Sequence, residues 1–186
     1  MTAVEIVQRC IEAFEGLQIP YVTVGAFSVN VYGSPRSTKD ADFVVEFGSV
    51  SINAVVAALG DEFTLDPQMS FETITSTTRY RLRHRSTQFL IEMFLLSDDP
   101  HDQARFARRV FGRVGDRRAF VLTAEDLIIT KLRWSRQGKR RKDADDVVNV
   151  LASQAGKLDL AYVRSWCLRH GTTDLFERLL SESTAE

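Results

Sequence analysis

The hydrophobic spacing of the chain changes character at Thr123, and this change most limits the available folds. Before Thr123, short runs of period two alternate with helical stretches; after it, only helical spacing continues to the end. The order predicts an α+β fold, with a mixed β-sheet flanked by helices over 1–122 and a C-terminal helical part over 123–186 packed on it. In the first part, helices are expected over 3–16, from Gly25 to about Tyr32, and over 50–60 and 99–109. Strands are expected at Tyr21–Val24, Asp40–Phe47, 110–114 and 117–121, with a hairpin made of Thr78–Arg85 and Gln88–Leu96. The helical part reads as 124–136, 140–154, 159–170 and 173–182. Thr123 is placed to cap the first of these, with Asp126 three residues on.

A chain of 186 residues with 44% hydrophobic and 26% charged residues can bury a core without covalent staples. Cys10 and Cys167 are far apart and neither sits in a metal-ligand spacing, which argues against a disulfide scaffold or a zinc site. No signal peptide or membrane-length apolar run is visible, so a cytoplasmic location and no membrane contact are expected. Net charge is −1, yet basic residues cluster at Arg79–Arg85, Arg105–Arg118 and Arg133–Lys142. Local positive surface on a neutral chain suits a phosphorylated ligand of limited size, not long duplex DNA.

Asp40 and Asp42 stand two apart on an expected strand, so their carboxylates share one face, opposite Ala41, Phe43, Val45 and Phe47. Paired carboxylates repel unless a cation neutralises them, and hard divalent metals take such ligands; a solvated strand face is the plainer reading. Gly25-Ala26 follows a strand and opens a helix, where backbone N–H groups can approach an anion. Glu92 is a lone acid in the apolar run Phe89–Phe94. It needs a partner, either an arginine or a metal ion.

These residues resemble a known signature. Gly25-Ala26-Phe27-Ser28, Tyr32-Gly33, Arg36-x-Thr38 and Asp40-Ala41-Asp42 are similar to the polymerase-beta-like nucleotidyltransferase superfamily, close to its minimal group. Ala124-Glu125-Asp126-Leu127-Ile128, Lys131-Leu132 and Arg141-Lys142-Asp143-x-x-Asp146 resemble the helical half of that group and the abortive-infection nucleotidyltransferase toxins. The resemblance reaches from about residue 20 to 151. It implies two Mg2+ ions (Mn2+ as a substitute) on Asp40, Asp42 and Glu92, and transfer of NMP from an NTP. It further implies a substrate-binding set of Gly25, Ala26, Ser28, Arg36, Thr38, Lys131 and Asp143, with Lys131 and Asp146 in the active centre. Ala26 stands where many members carry serine, and Glu92 where many carry aspartate.

Lys131 lies beside an apolar helix face, and Asp143 and Asp146 share one helix side above Val147 and Val150. A Lys131–aspartate bridge between helices and a Lys131–phosphate contact both fit that placement. Arg79, Arg81, Arg83 and Arg85 share one strand face; a turn on Arg85-Ser86 would set Arg79 opposite Glu92, while a solvated face is the simpler reading. His84, His101 and His170 form no visible cluster. The expected activity is metal-dependent nucleotidyl transfer to a hydroxyl of a tRNA end, a protein or a small molecule. The alternatives are a catalytically degenerate binding module of the same fold, possible as half of a toxin–antitoxin pair, and an RNA-binding domain using 133–142.

Overall fold

The computed structural model describes residues 1–138 and 141–184. Helices are α1 (Ala3–Gly16), α2 (Gly25–Tyr32), α3 (Ile52–Leu59), α4 (Pro100–Ala107), α5 (Ala124–Gly138), α6 (Arg141–Ser153), α7 (Leu160–His170) and α8 (Thr173–Ser183). Strands are β1 (Tyr21–Val24), β2 (Asp40–Val45), β3 (Phe63–Leu65), β4 (Ser70–Glu72), β5 (Thr77–His84), β6 (Leu90–Leu95), β7 (Val110–Val114) and β8 (Arg117–Val121). They form one mixed sheet in the order β3-β5-β6-β2-β1-β8-β7, with β4 added beside β5. The β2–β6 and β1–β8 pairs are parallel and the rest antiparallel.

Local chemistry sets the helix ends. Thr2 and Glu5 close a reciprocal capping box on α1. Asp99 caps α4 just before Pro100, which has no N–H to lose there. Thr123 accepts the Asp126 N–H and donates to its carboxylate at the start of α5.

The sheet is covered on both faces. Phe14, Phe43, Ile91 and Leu82 build one core under α1 and α3. The other face gives Val22, Val24, Val44 and Phe94 to a second core shared with Leu127, Ile128, Val147 and Phe176 of the helices. Asp40 and Asp42 are on this second face of β2, at the strand end where the helices leave it open.

Two short strands, β3 and β4, were not expected from the sequence, because three residues carry no readable period. The hairpin register also differs from expectation: Arg81, not Arg79, stands opposite Glu92. The turn runs on to Phe89, with Gln88 at φ 59°, so the strands pair two residues further along. A two-residue shift preserves the face, and the arginine row still shares it with Glu92.

Candidate active site

β1 delivers the chain to Gly25, whose φ of +63° starts α2 in a left-handed conformation. A Cβ on Gly25 would lie 2.1 Å from Asp42 Oδ2, so the close approach of helix and carboxylate requires glycine here. No side chain caps the N-terminus of α2. Gly25→Ala is therefore expected to displace Asp42 and cost roughly 1–3 kcal/mol of stability, read by thermal unfolding.

The parallel pairing of β2 and β6 puts Asp42 level with Glu92. Burial pushes the Asp42 carboxyl up, the charges of Glu92 and Asp40 push it further, and together they carry it to about 7 against some relief from Lys131. Thr38 donates its hydroxyl to Asp40. Glu92 has met the arginine partner that the sequence allowed: Arg79 Nη1 lies 3.0 Å from its Oε1. Among the described residues, no three His, Cys, Asp or Glu groups are already gathered at metal-ligand spacing.

Across the cleft, Lys131 of α5 sits between two carboxylates of α6, 2.7 Å from Asp143 Oδ1 and 2.9 Å from Asp146 Oδ2. Arg36, from the loop before β2, grips Asp146 with two hydrogen bonds of 3.0 and 2.9 Å. Burial alone would raise Asp146, but the hydrogen bond from Arg36 and the charge of Lys131 hold it below the usual carboxylate range. The interhelix bridge weighed from the sequence is present, and Lys131 also lines the same cleft as Asp42.

That cleft has two parts. A wide one of about 430 Å3 is lined by Gly25, Ala26, Arg36, Asp40, Arg141 and Lys142. A narrow one of about 100 Å3 runs inward between the sheet and α5. Gly25, Asp42, Lys131 and Asp143 line both. Ser28 lines neither: it is fully buried, and its hydroxyl donates to the Thr23 carbonyl at 2.6 Å, which corrects its expected place among ligand-facing residues. Of the expected basic run, Lys139 and Arg140 lie outside the described residues. Sequence reasoning missed the inner wall, Phe94, Trp134, Glu72 and Thr75, because no local pattern links these four positions.

The histidines are also less scattered than expected. His101 and His170 lie 5.4 Å apart, ring to ring, beside Trp166, and His101 Nε2 is 3.2 Å from Asp126.

No known family's sequence pattern matches the chain, and no curated protein matches it. Solved structures do share its fold. The antibiotic-resistance factor ANT(2'')-Ia, in complex with adenylyl-2''-tobramycin, matches with a TM-score of 0.64 at 12% identity, covering 92% of this chain and 98% of that one. The lincosamide antibiotic adenylyltransferase LnuA, lincomycin-bound, matches at 0.53 and 15% identity over 81% and 96%. An antigenic nucleotidyltransferase-like protein from Paracoccidioides brasiliensis matches at 0.52 and 18% identity over 96% and 94%. The chain has the nucleotidyltransferase fold, and its carboxylate-lined cleft lies in that fold. Among the described residues, no helix is long and apolar enough to cross a membrane.

Proposed function

We propose that this protein transfers a nucleotidyl group from an NTP to a hydroxyl acceptor in a metal-dependent reaction. The observation that carries the reading is the crowding of Asp42 by Glu92 and Asp40 at the uncapped start of α2. A carboxyl pushed up to about 7 by burial, and then by the charges of Glu92, level with it, and Asp40, is a site where a cation would be welcome. The donor set is all oxygen, which suits Mg2+, with Mn2+ as a substitute. Asp40 and Asp42 would hold the ions, joined by Glu92 in competition with Arg79. Bound magnesium supplies charge neutralisation to the triphosphate and acidifies the attacking hydroxyl.

The chain's own groups divide the remaining work. Backbone N–H groups of Gly25 and Ala26 face the triphosphate at a helix N-terminus, and Lys131 adds a cation beside them. Arg36 anchors α6 through Asp146, while Asp143 and Asp146 hold Lys131 in place. Thr38 fixes one oxygen of Asp40. Lys131→Ala is expected to weaken Mg–NTP binding about tenfold or more by calorimetry, since a direct charge-assisted contact is worth ~1.5–3 kcal/mol. Unchanged affinity would remove Lys131 from the phosphate site.

A second reading rests on the same ion pairs. Arg79–Glu92 and Lys131–Asp143 satisfy the cleft internally, as they would in a catalytically degenerate binding module, for instance half of a toxin–antitoxin pair in the cytoplasm. Incubation with each labelled NTP, magnesium and candidate acceptors (tRNA, protein, small alcohols) separates the two. Pyrophosphate release with a labelled acceptor supports the enzyme; NTP binding without release supports the module.

A further inference from the structure

The inner cavity has a chemistry of its own. Val24, Val44, Phe94, Leu127 and Trp134 give it apolar walls. Its two cations are already engaged: Arg105 pairs with Asp102, and Lys131 with Asp143 and Asp146. Glu72 is turned into its own loop, accepting from the Thr75 N–H at 2.9 Å and the Thr75 hydroxyl at 2.6 Å. Asp143 is different. It is 5% exposed, Lys131 holds its Oδ1, and Oδ2 is buried with no partner among the described residues. A buried carboxylate oxygen without a donor is costly, and a ligand O–H would satisfy it.

We propose that this cavity receives the hydroxyl-bearing tip of the acceptor, and that the acceptor is a small alcohol with an apolar skirt beside its hydroxyl. The inference rests on the nucleotidyl-transfer reading and specifies its second substrate. A phosphate-rich acceptor is disfavoured in the inner cavity because its charge would be stripped of water against apolar walls, where Arg105 is paired with Asp102 and Lys131 is assigned to the triphosphate. The triphosphate instead matches the wide outer cleft, where Arg141 and Lys142 are exposed. Size narrows the class further. A dry cavity of about 150 Å3 holds benzene, so one of about 100 Å3 admits a smaller, branched aliphatic tip. In the transfer, the alcohol oxygen forms a bond to the α-phosphorus and the α–β bridging bond breaks. Pyrophosphate leaves with that electron pair, and the hydroxyl proton passes to Asp143 Oδ2.

The test uses isopropanol and isobutanol as probes. Titrated into the protein, each is expected to shift the amide resonances of Val24, Gly25 and Leu127 and to become esterified in the presence of Mg–NTP. Thr130→Ile, which fills the cavity from α5 outside the proposed machinery, should abolish both effects and leave Mg–NTP affinity within about twofold. Val44→Ile is the second variant should Thr130→Ile unfold, as judged by thermal melting. Shifts scattered over the surface, or transfer to tRNA or protein undiminished by either variant, overturn the acceptor assignment and leave nucleotidyl transfer standing. Absence of both Mg–NTP binding and pyrophosphate release with every acceptor overturns the underlying reading, and the assignment with it.

Discussion

Asp42→Asn is expected to abolish nucleotidyl transfer, by roughly 10²–10³-fold or more, while leaving a fold at least as stable as the parent. Asp42 is set against Gly25, level with Glu92, and carries the like charges of Glu92 and Asp40 beside it. Its pKa of about 7 in the folded chain lies above the ordinary 3.8, so folding takes up a proton between those values. The sign follows. Native stability due to this group is fully present below pH 3.8 and is lost as pH rises through 7 in metal-free protein. Asparagine carries no charge to lose. The variant should therefore match the parent at pH 4 and exceed it at pH 8 by on the order of 2 kcal/mol, discounted for partial solvent access. Urea unfolding at the two pH values, beside a pyrophosphate-release assay, separates the effects. A variant that keeps full turnover would remove Asp42 from the chemistry.

The elements that position the site were legible because each carries a local signal. Asp40 and Asp42 announce themselves by period two, and Gly25 follows an apolar strand and opens a helix. Lys131 and the Asp143/Asp146 pair were readable as one bridge from their helical spacing. What escaped depends on contacts distant in sequence. The hairpin register is one case: the sequence set Arg79 directly opposite Glu92, but Gln88 at positive φ shifts the pairing by two residues, so Arg81 stands opposite and Arg79 reaches Glu92 from the neighbouring pair. The resemblance puts Ser28 among the ligand-facing residues, yet the first turn of α2 aims its hydroxyl back at Thr23. The inner cavity is assembled from β1, β2, β6, α5, α6 and the segments around Glu72 and Arg105, and no single stretch contains its pattern. His101, Trp166 and His170 likewise meet only when α4 and α7 pack together.

Asp126→Ala should be the most destabilising single change away from the cleft, at about 3–5 kcal/mol. The side chain is 0% exposed and serves four donors. Tyr162 and Thr123 each donate a hydroxyl at 2.8 Å, while Arg108 Nε and His101 Nε2 each lie at 3.2 Å. Burial would raise its pKa, but the bonds from His101, Tyr162 and Thr123 outweigh that and hold it below the usual range. Its contribution is therefore present above about pH 4 and lost as pH falls through the lowered folded value. Truncation removes the N-terminal cap partner of α5 and leaves the Tyr162 hydroxyl and the His101 ring without their carboxylate. α4, α5 and α7 converge on this one group, so the loss loosens the helical part against the sheet. Chemical unfolding at pH 7 measures the cost, and the parent's advantage should shrink steadily as the pH is taken toward 3. Tyr162→Phe, which keeps the ring under the Arg108 guanidinium and removes a single donor, should cost only about 1 kcal/mol. Equal costs for the two variants would mean that the ring packing, and not the carboxylate, holds these helices together.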